Sequence, residues 1–213
     1  MIDHRHRYVF VHIPKTAGTS LKRRLAGYDL DKRWQPDPAQ IQHLYSHLTG
    51  AQLQAELEAV AGVDAAAYFR FTFVRNPWDR VLSAFLYLSA GGGNQVRELP
   101  RVAAVKPFKG DFRRFVGEGL APLQAEVPHL LPQHLWSHDG LSRPLDFIGR
   151  FERLEADYAE IARRLGLDPT APLPHLRASR RRPYPEYYDA DSRAVVAQVY
   201  ARDIALYGYR FED

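Results

Sequence analysis

Two short segments of the chain carry side chains whose types and spacing suit anion chemistry. The first is His12-Ile13-Pro14-Lys15-Thr16-Ala17-Gly18-Thr19-Ser20. Its small residues let successive backbone N–H groups converge on one point, as in an anion nest. A helix starting there adds its unpaired donors and its dipole. Lys15 brings a full positive charge, and the hydroxyls of Thr16, Thr19 and Ser20 can donate to oxygens. The segment suits a phosphate-like group without being a Walker A loop: that motif places its lysine after the second glycine, whereas Lys15 precedes Gly18. The second segment is Phe73-Val74-Arg75-Asn76-Pro77-Trp78-Asp79-Arg80, with Ser83 further on. Arg75 and Ser83 could grip a second phosphate, the guanidinium supplying paired donors. Asp79 and Arg80 could instead tie the turn together by local ion pairs.

These residues need elements to hold them. The Val/Phe/Ile run over Arg7–His12 reads as a buried strand, feeding the glycine-containing turn and an amphipathic helix over Thr19–Gly27. Tyr68–Val74 reads as a second strand that delivers Arg75 to the same carboxyl edge. Pro77 suits a first helical turn, and Val81, Phe85 and Leu88 mark one face of a helix to Ser89. Thr49-Gly50-Ala51-Gln52 has the form of a capping box, which predicts a helix from Gly50 to Val60. Shorter helices are expected over Phe108–Gly117 and Ala121–Leu131, and a strand over Leu145–Arg150. Another helix carries Leu154, Tyr158, Ile161 and Leu165 and closes at Gly166. Asp191 can cap a last helix to Tyr207. Ala90–Pro107 and Asp168–Pro185 read as long loops. Strands separated by helices indicate an α/β fold of three layers around a mainly parallel sheet, in which ligands bind beyond the carboxyl ends of the strands. One domain over residues 1–213 is expected.

Composition narrows the chemistry. The 213 residues include no cysteine, which excludes disulfide staples, thiolate nucleophiles and Cys-ligated zinc. There is no His-Glu-x-x-His and no EF-hand pattern, so no metal is implied. The formal charge is +4, with 24 arginines against 5 lysines, a bias toward the residue whose planar fork matches phosphate and carboxylate. The 25 acidic residues are spread along the chain, unlike the one-sided basic surface of a nucleic-acid binder. The apolar run from Tyr8 to Ile13 is too short for a signal-peptide core, and no stretch reaches the length of a transmembrane helix. A cytoplasmic protein is expected, with peripheral contact at the inner face of a membrane left open.

Pro14-Lys-Thr-Ala-Gly-Thr-Ser20, followed by Arg75-Asn-Pro-Trp-Asp-Arg-Val-Leu-Ser-Ala-Phe85, resembles the two cofactor motifs of sulfotransferases, most closely the carbohydrate branch of heparan sulfate 2-O-sulfotransferases and its bacterial members. The likeness continues through Leu145-Asp-Phe-Ile-Gly-Arg-Phe-Glu152, Pro174-His-Leu-Arg-Ala-Ser179 and the closing Tyr207-Gly-Tyr209 with Phe211, and so covers nearly the whole chain. It implies the P-loop-like sulfotransferase fold, 3′-phosphoadenosine 5′-phosphosulfate (PAPS) as sulfuryl donor, no metal, and a carbohydrate or glycoconjugate acceptor. By the same resemblance Lys15, Thr16, Ala17, Gly18, Thr19 and Ser20 hold the 5′-phosphosulfate. Arg75 and Ser83 hold the 3′-phosphate, and Arg177 and Ser179 come from a loop over the cofactor, with the run Arg180–Arg182 able to assist.

Transfer to a hydroxyl needs a base, and histidine is the commonest choice, worth ~10²–10⁴ in rate. The chain has nine histidines. His47 stands just ahead of the capped helix and between the two motifs, where the resembled branch has a catalytic histidine. That branch's animal members carry a His-x-His pair, and Tyr45 takes the place of the first. His43 is the second choice; His4, His6 and His12 read as structural or disordered. Lys15 then stabilises charge on the leaving oxygen during an in-line displacement. Gln133, His134, Trp136 and His138 could line an acceptor groove or pack beneath the Gly91–Pro107 loop. Two other classes compete: a kinase-like P-loop enzyme, which would want an acidic residue where the second strand ends in Arg75, and a non-catalytic polyanion-binding protein.

Overall fold

A computed structural model describes residues 1–25, 40–43, 47–174 and 181–213. In chain order the described regular elements are β1 (Ile2–Asp3), β2 (Tyr8–Val11), α1 (Gly18–Leu25), β3 (Ile41–Gln42), α2 (Gly50–Glu58), β4 (Phe69–Val74) and α3 (Pro77–Ser89). There follow α4 (Leu99–Val105), α5 (Phe112–Arg114), a π-helical turn (Phe115–Gly119), α6 (Leu120–Leu123), α7 (His134–Ser137), β5 (Phe147–Arg150), α8 (Leu154–Arg164), α9 (Ala190–Val199) and α10 (Ala201–Tyr207). Short 3₁₀ turns fill several joints. The chain divides into two compact units: Met1–Val74 with Gln133–Ala178, and Arg75–Pro132 with Ser179–Asp213.

The first unit is a sheet in the order β3-β1-β2-β4-β5. Its three longer strands are parallel: Phe10 lies opposite Phe71, and Phe73 opposite Gly149. The two-residue strands β1 and β3 add antiparallel at one edge. Side chains alternate between the faces of a strand, so Tyr8, Phe10, Phe71 and Phe73 point one way, where they form one core with Leu21 and Leu25 of α1 and Tyr158, Ile161 and Ala162 of α8. Phe10 and Phe71 stack with centroids 5.3 Å apart. Gly149 is needed opposite Phe73, since a Cβ there would lie 2.6 Å from its ring. On the other face Arg70 donates to Gln54 Oε1 of α2 at 3.3 Å. Helices on both faces of a sheet whose long strands are parallel give the expected three-layer α/β arrangement.

The second unit is helical. Val81, Leu82, Phe85 and Leu88 of α3 pack with Phe112, Phe115, Val116, Leu120, Val196 and Tyr200. Arg80 is 1% exposed and donates to the Leu131 carbonyl at 2.8 Å; burial lowers its pKa. Arg80 therefore secures a carbonyl from within the core.

Several expected elements differ. The Ala90–Pro107 loop contains α4, started by Pro100 in the first turn and held by the buried Val105 and Glu98. The two helices expected over Phe108–Gly117 and Ala121–Leu131 are one helical run, Phe112–Leu123. Glycine disfavours a helix interior, yet burial of Phe115, Val116 and Leu120 outweighs the propensity of Gly117 and Gly119, and the extra residue is taken up in the π turn. The last helix is capped by Asp189, not Asp191, and breaks at Tyr200. β1 and β3 were not foreseen, because two residues carry no periodicity. No described helix is long and apolar enough to cross a membrane.

Candidate functional site

The lysine segment follows β2 as a tight turn into α1. Lys15 and Ala17 hold positive φ, 72° and 65°, while Thr16 and Gly18 do not. Alternation of left- and right-handed residues turns successive N–H groups inward, which makes an anion nest. A left-handed conformation costs ~1–2 kcal/mol at each non-glycine residue. Two in three residues mark a strained loop of the kind found at ligand sites. Thr16 is fully buried and its hydroxyl donates to the Ile13 carbonyl at 2.8 Å, so this hydroxyl ties the loop together and the residue's contribution to a ligand is its backbone N–H. The first helical hydrogen bond runs from Leu21 N to Ala17 O at 3.1 Å. Gly18, Thr19 and Ser20 thus occupy the first turn, where N–H groups have no partner within the helix. Lys15 and Thr19 are half-buried and Ser20 is buried.

Gly18 has a second reason to be glycine. A Cβ on it would lie 1.8 Å from Cδ2 of His12. The His12 ring therefore lies against the start of α1, stacked on Phe10 at 6.0 Å. It also meets His47, with centroids 4.8 Å apart and planes inclined by 38°. His47 also has Trp136 edge-on, with centroids 6.5 Å apart. The fold thus brings His47 to the end of β2 through His12, which from sequence reads as structural or disordered. It is structural, and its adjacency to Gly18 had no signal in the sequence. His47 leads into α2 as expected: Thr49 and Gln52 form the capping box, with Gln52 N 3.2 Å from Thr49 Oγ1 and Thr49 N 2.8 Å from Gln52 Oε1. His43, the second choice, lies 3.4 Å from Glu56 of α2.

Within the helical unit, Arg75 is buried and donates through Nε and Nη2 to Asp79 Oδ2 at 2.8 and 2.7 Å. The other carboxylate oxygen of Asp79 accepts from Arg181. Two arginines on one aspartate leave a net positive charge, and the shared carboxylate fixes both forks, which suits a phosphate. Asp79 ties the turn by a local ion pair, as expected, with Arg75 four residues back, and it also takes Arg181. Ser83 is half-buried, four residues beyond Asp79 and so on the same side of α3. Arg182 pairs instead with Glu186 at 3.2 Å. Arg177, Ser179 and Arg180 lie outside the described residues.

Of the two readings of the residues from Gln133 to His138, packing describes most of them. Gln133, His134 and Trp136 are buried, Trp136 to 3% exposure, and only His138 is half-exposed. Trp136 packs under His47, and its carbonyl lies 2.8 Å from where a Cβ on Gly50 would be. Its apolar ring is spent on the core, leaving no face for a sugar. Among the described residues, no group of three or more His, Asp or Glu side chains could hold a metal ion.

Comparison with known proteins agrees with these features. The pattern of the sulfotransferase family matches residues 1–210. Carbohydrate sulfotransferase 14 of Homo sapiens is 29% identical over 98% of this chain, and that of Mus musculus 28% over 98%. Carbohydrate sulfotransferase 11 of Rattus norvegicus is 22% identical over 98%. The chain spans 59% of the length of the two type 14 relatives and 66% of the type 11 relative. No solved structure matches.

Proposed function

The chain belongs to the sulfotransferase family, and from that premise we propose that it passes a sulfuryl group from PAPS to a hydroxyl of a carbohydrate or glycosylated acceptor. The observation that carries the donor side is the strained Lys15–Ala17 nest at the mouth of α1, a cradle for one tetrahedral anionic group. When bound, PAPS supplies a sulfuryl group whose bond to a phosphate oxygen breaks as the acceptor oxygen bonds to sulfur. Lys15 and the N–H groups from Thr16 to Ser20 hold the 5′ end, with the Ser20 and Thr19 hydroxyls as further donors. Arg75, oriented by Asp79, and Ser83 hold the 3′-phosphate. Arg177 and Ser179 add contacts from their own segment. His47 takes the acceptor's proton, and Lys15 carries positive charge to the oxygen that leaves. Catalysis of this kind is positioning and electrostatics. The names of the relatives support a carbohydrate acceptor. The family match over residues 1–210 supports a single functional domain across 1–213. Its proposed place of work is the cytoplasm, because the apolar run from Tyr8 to Ile13 is too short for a signal-peptide core.

A thermal-shift titration with adenosine 3′,5′-bisphosphate tests the donor. A ligand at ~100 times its dissociation constant adds ~2.7 kcal/mol of stability, and a Lys15→Ala protein should lose most of that gain. An unmoved transition at saturation would overturn the donor assignment. For the base, His47→Ala should abolish turnover while the fold persists.

A further inference from the structure

His12 touches both parts of this chemistry, yet no step uses it. It is the first residue beyond β2, which is paired on both sides, to β1 and to β4, so its backbone leaves an internal strand of the sheet. Its side chain is buried, and its ring lies against Phe10, Gly18 of the cradle and the His47 ring. His47 has a different backbone setting. Residues 47–49 form no regular structure ahead of α2, so ring contacts bear directly on the orientation of its imidazole, with His12 at 4.8 Å and the edge-on Trp136 at 6.5 Å. A side chain in reaction chemistry must be held to a fraction of an ångström by such supports.

We propose that His12 is a positioning residue: wedged between the cradle glycine and His47, it sets the plane and place of the base relative to the donor end at Lys15. This rests on the reading of His47 as the base. The role belongs to a flat ring of the right size at this spot, so phenylalanine should replace it and alanine should not. Glycine at position 18 and an aromatic ring at position 12 are then one device, because any side chain at 18 expels the ring.

The test compares His12→Ala with His12→Phe in the full chain. With PAPS and a panel of p-nitrophenyl glycosides as acceptors, His12→Ala should lower kcat by ~10–100-fold, the scale of a misplaced catalytic group. Its affinity for adenosine 3′,5′-bisphosphate should stay unchanged, and His12→Phe should recover kcat. In the same proteins without substrate, the His47 Cε1–H resonance should be single and sharp in the wild type and in His12→Phe, and broadened or doubled in His12→Ala. Circular dichroism establishes that each variant is folded. A sharp, single His47 resonance in folded His12→Ala would overturn the proposal. Full turnover by His47→Ala would overturn the base assignment instead, and the resonance would still report whether His12 fixes the ring.

Discussion

At Gly18 two demands meet in one hydrogen atom. The nest needs backbone close to a bound anion, and the His12 ring occupies the space where a side chain would begin. Gly18→Ala should therefore cost ~1–3 kcal/mol, as overpacking of a filled site does, and should remove turnover; urea unfolding and the activity assay read the two effects. Lys15 behaves differently. Lys15→Gly relieves ~1 kcal/mol or more of left-handed strain, while glycine's larger unfolded-state entropy takes back ~0.5–1 kcal/mol. The melting temperature should stay near that of the wild type although turnover drops ~10²–10³-fold, the range for loss of one transition-state donor. Asp79 is the residue whose role reaches furthest. Its carboxylate and both arginines are about a tenth exposed, and removing one member of a buried ion pair costs ~3–5 kcal/mol. Asp79→Asn keeps an acceptor oxygen, so a loss near ~3 kcal/mol is expected in denaturant titrations, together with weaker binding of adenosine 3′,5′-bisphosphate by calorimetry. The sequence contained the four-residue spacing from Arg75 to Asp79, but nothing in it could choose between Arg75, Arg80 and Arg181 as partners. That choice depends on where Arg80 is buried and where residue 181 returns.

Among the elements, those with a strong local signal were legible. β2 and β4 are apolar runs of β-formers, α3 has its proline and its apolar face, and α2 has its capping box. Thr49→Ala should cost ~1 kcal/mol, with a smaller effect on turnover than Lys15→Gly, because the cap supports the segment after His47 without touching ligand; thermal unfolding and initial rates separate the two. Asp189 caps α9 with its carboxyl held below the ordinary value, first by the Ser192 hydroxyl and then by its backbone N–H. A depressed folded pKa contributes stability that is present above the unfolded value of 3.8 and fades as pH falls through the folded one. The stability difference between the wild type and Asp189→Ala should thus be full at neutral pH and shrink below pH 3.8. Elements that tertiary packing overrode were not legible. The helical run through Gly117 and Gly119 exists because its apolar residues are buried, and the break at Tyr200 comes where that side chain's hydroxyl donates to the Leu130 carbonyl at 2.5 Å.

For the molecule as a whole, net charge was a weak guide and geometry explains why. Arginines from Arg101 to Arg193 pair with carboxylates among the described residues, so the +4 is dispersed among ion pairs. A phosphate-tracking surface would instead show a steep dependence of affinity on salt. Binding to a DNA duplex, followed by fluorescence anisotropy, should accordingly be negligible at physiological salt. Each unit has its own core, and the family match runs through both.

By itself the sequence determined the strand–turn–helix that presents Lys15, the strand that ends at Arg75, the three-layer α/β class and the family. Those features are written in contiguous residues, where backbone sterics, capping and apolar spacing act over a few positions. Only the tertiary structure decided that Trp136 packs inward rather than facing a sugar, that Asp79 is shared by Arg75 and Arg181, and that His12 lies between Gly18 and His47. Periodicity tells which face of an element is apolar, but not which distant side chain will fill the space against it; that is set by close packing of the folded chain.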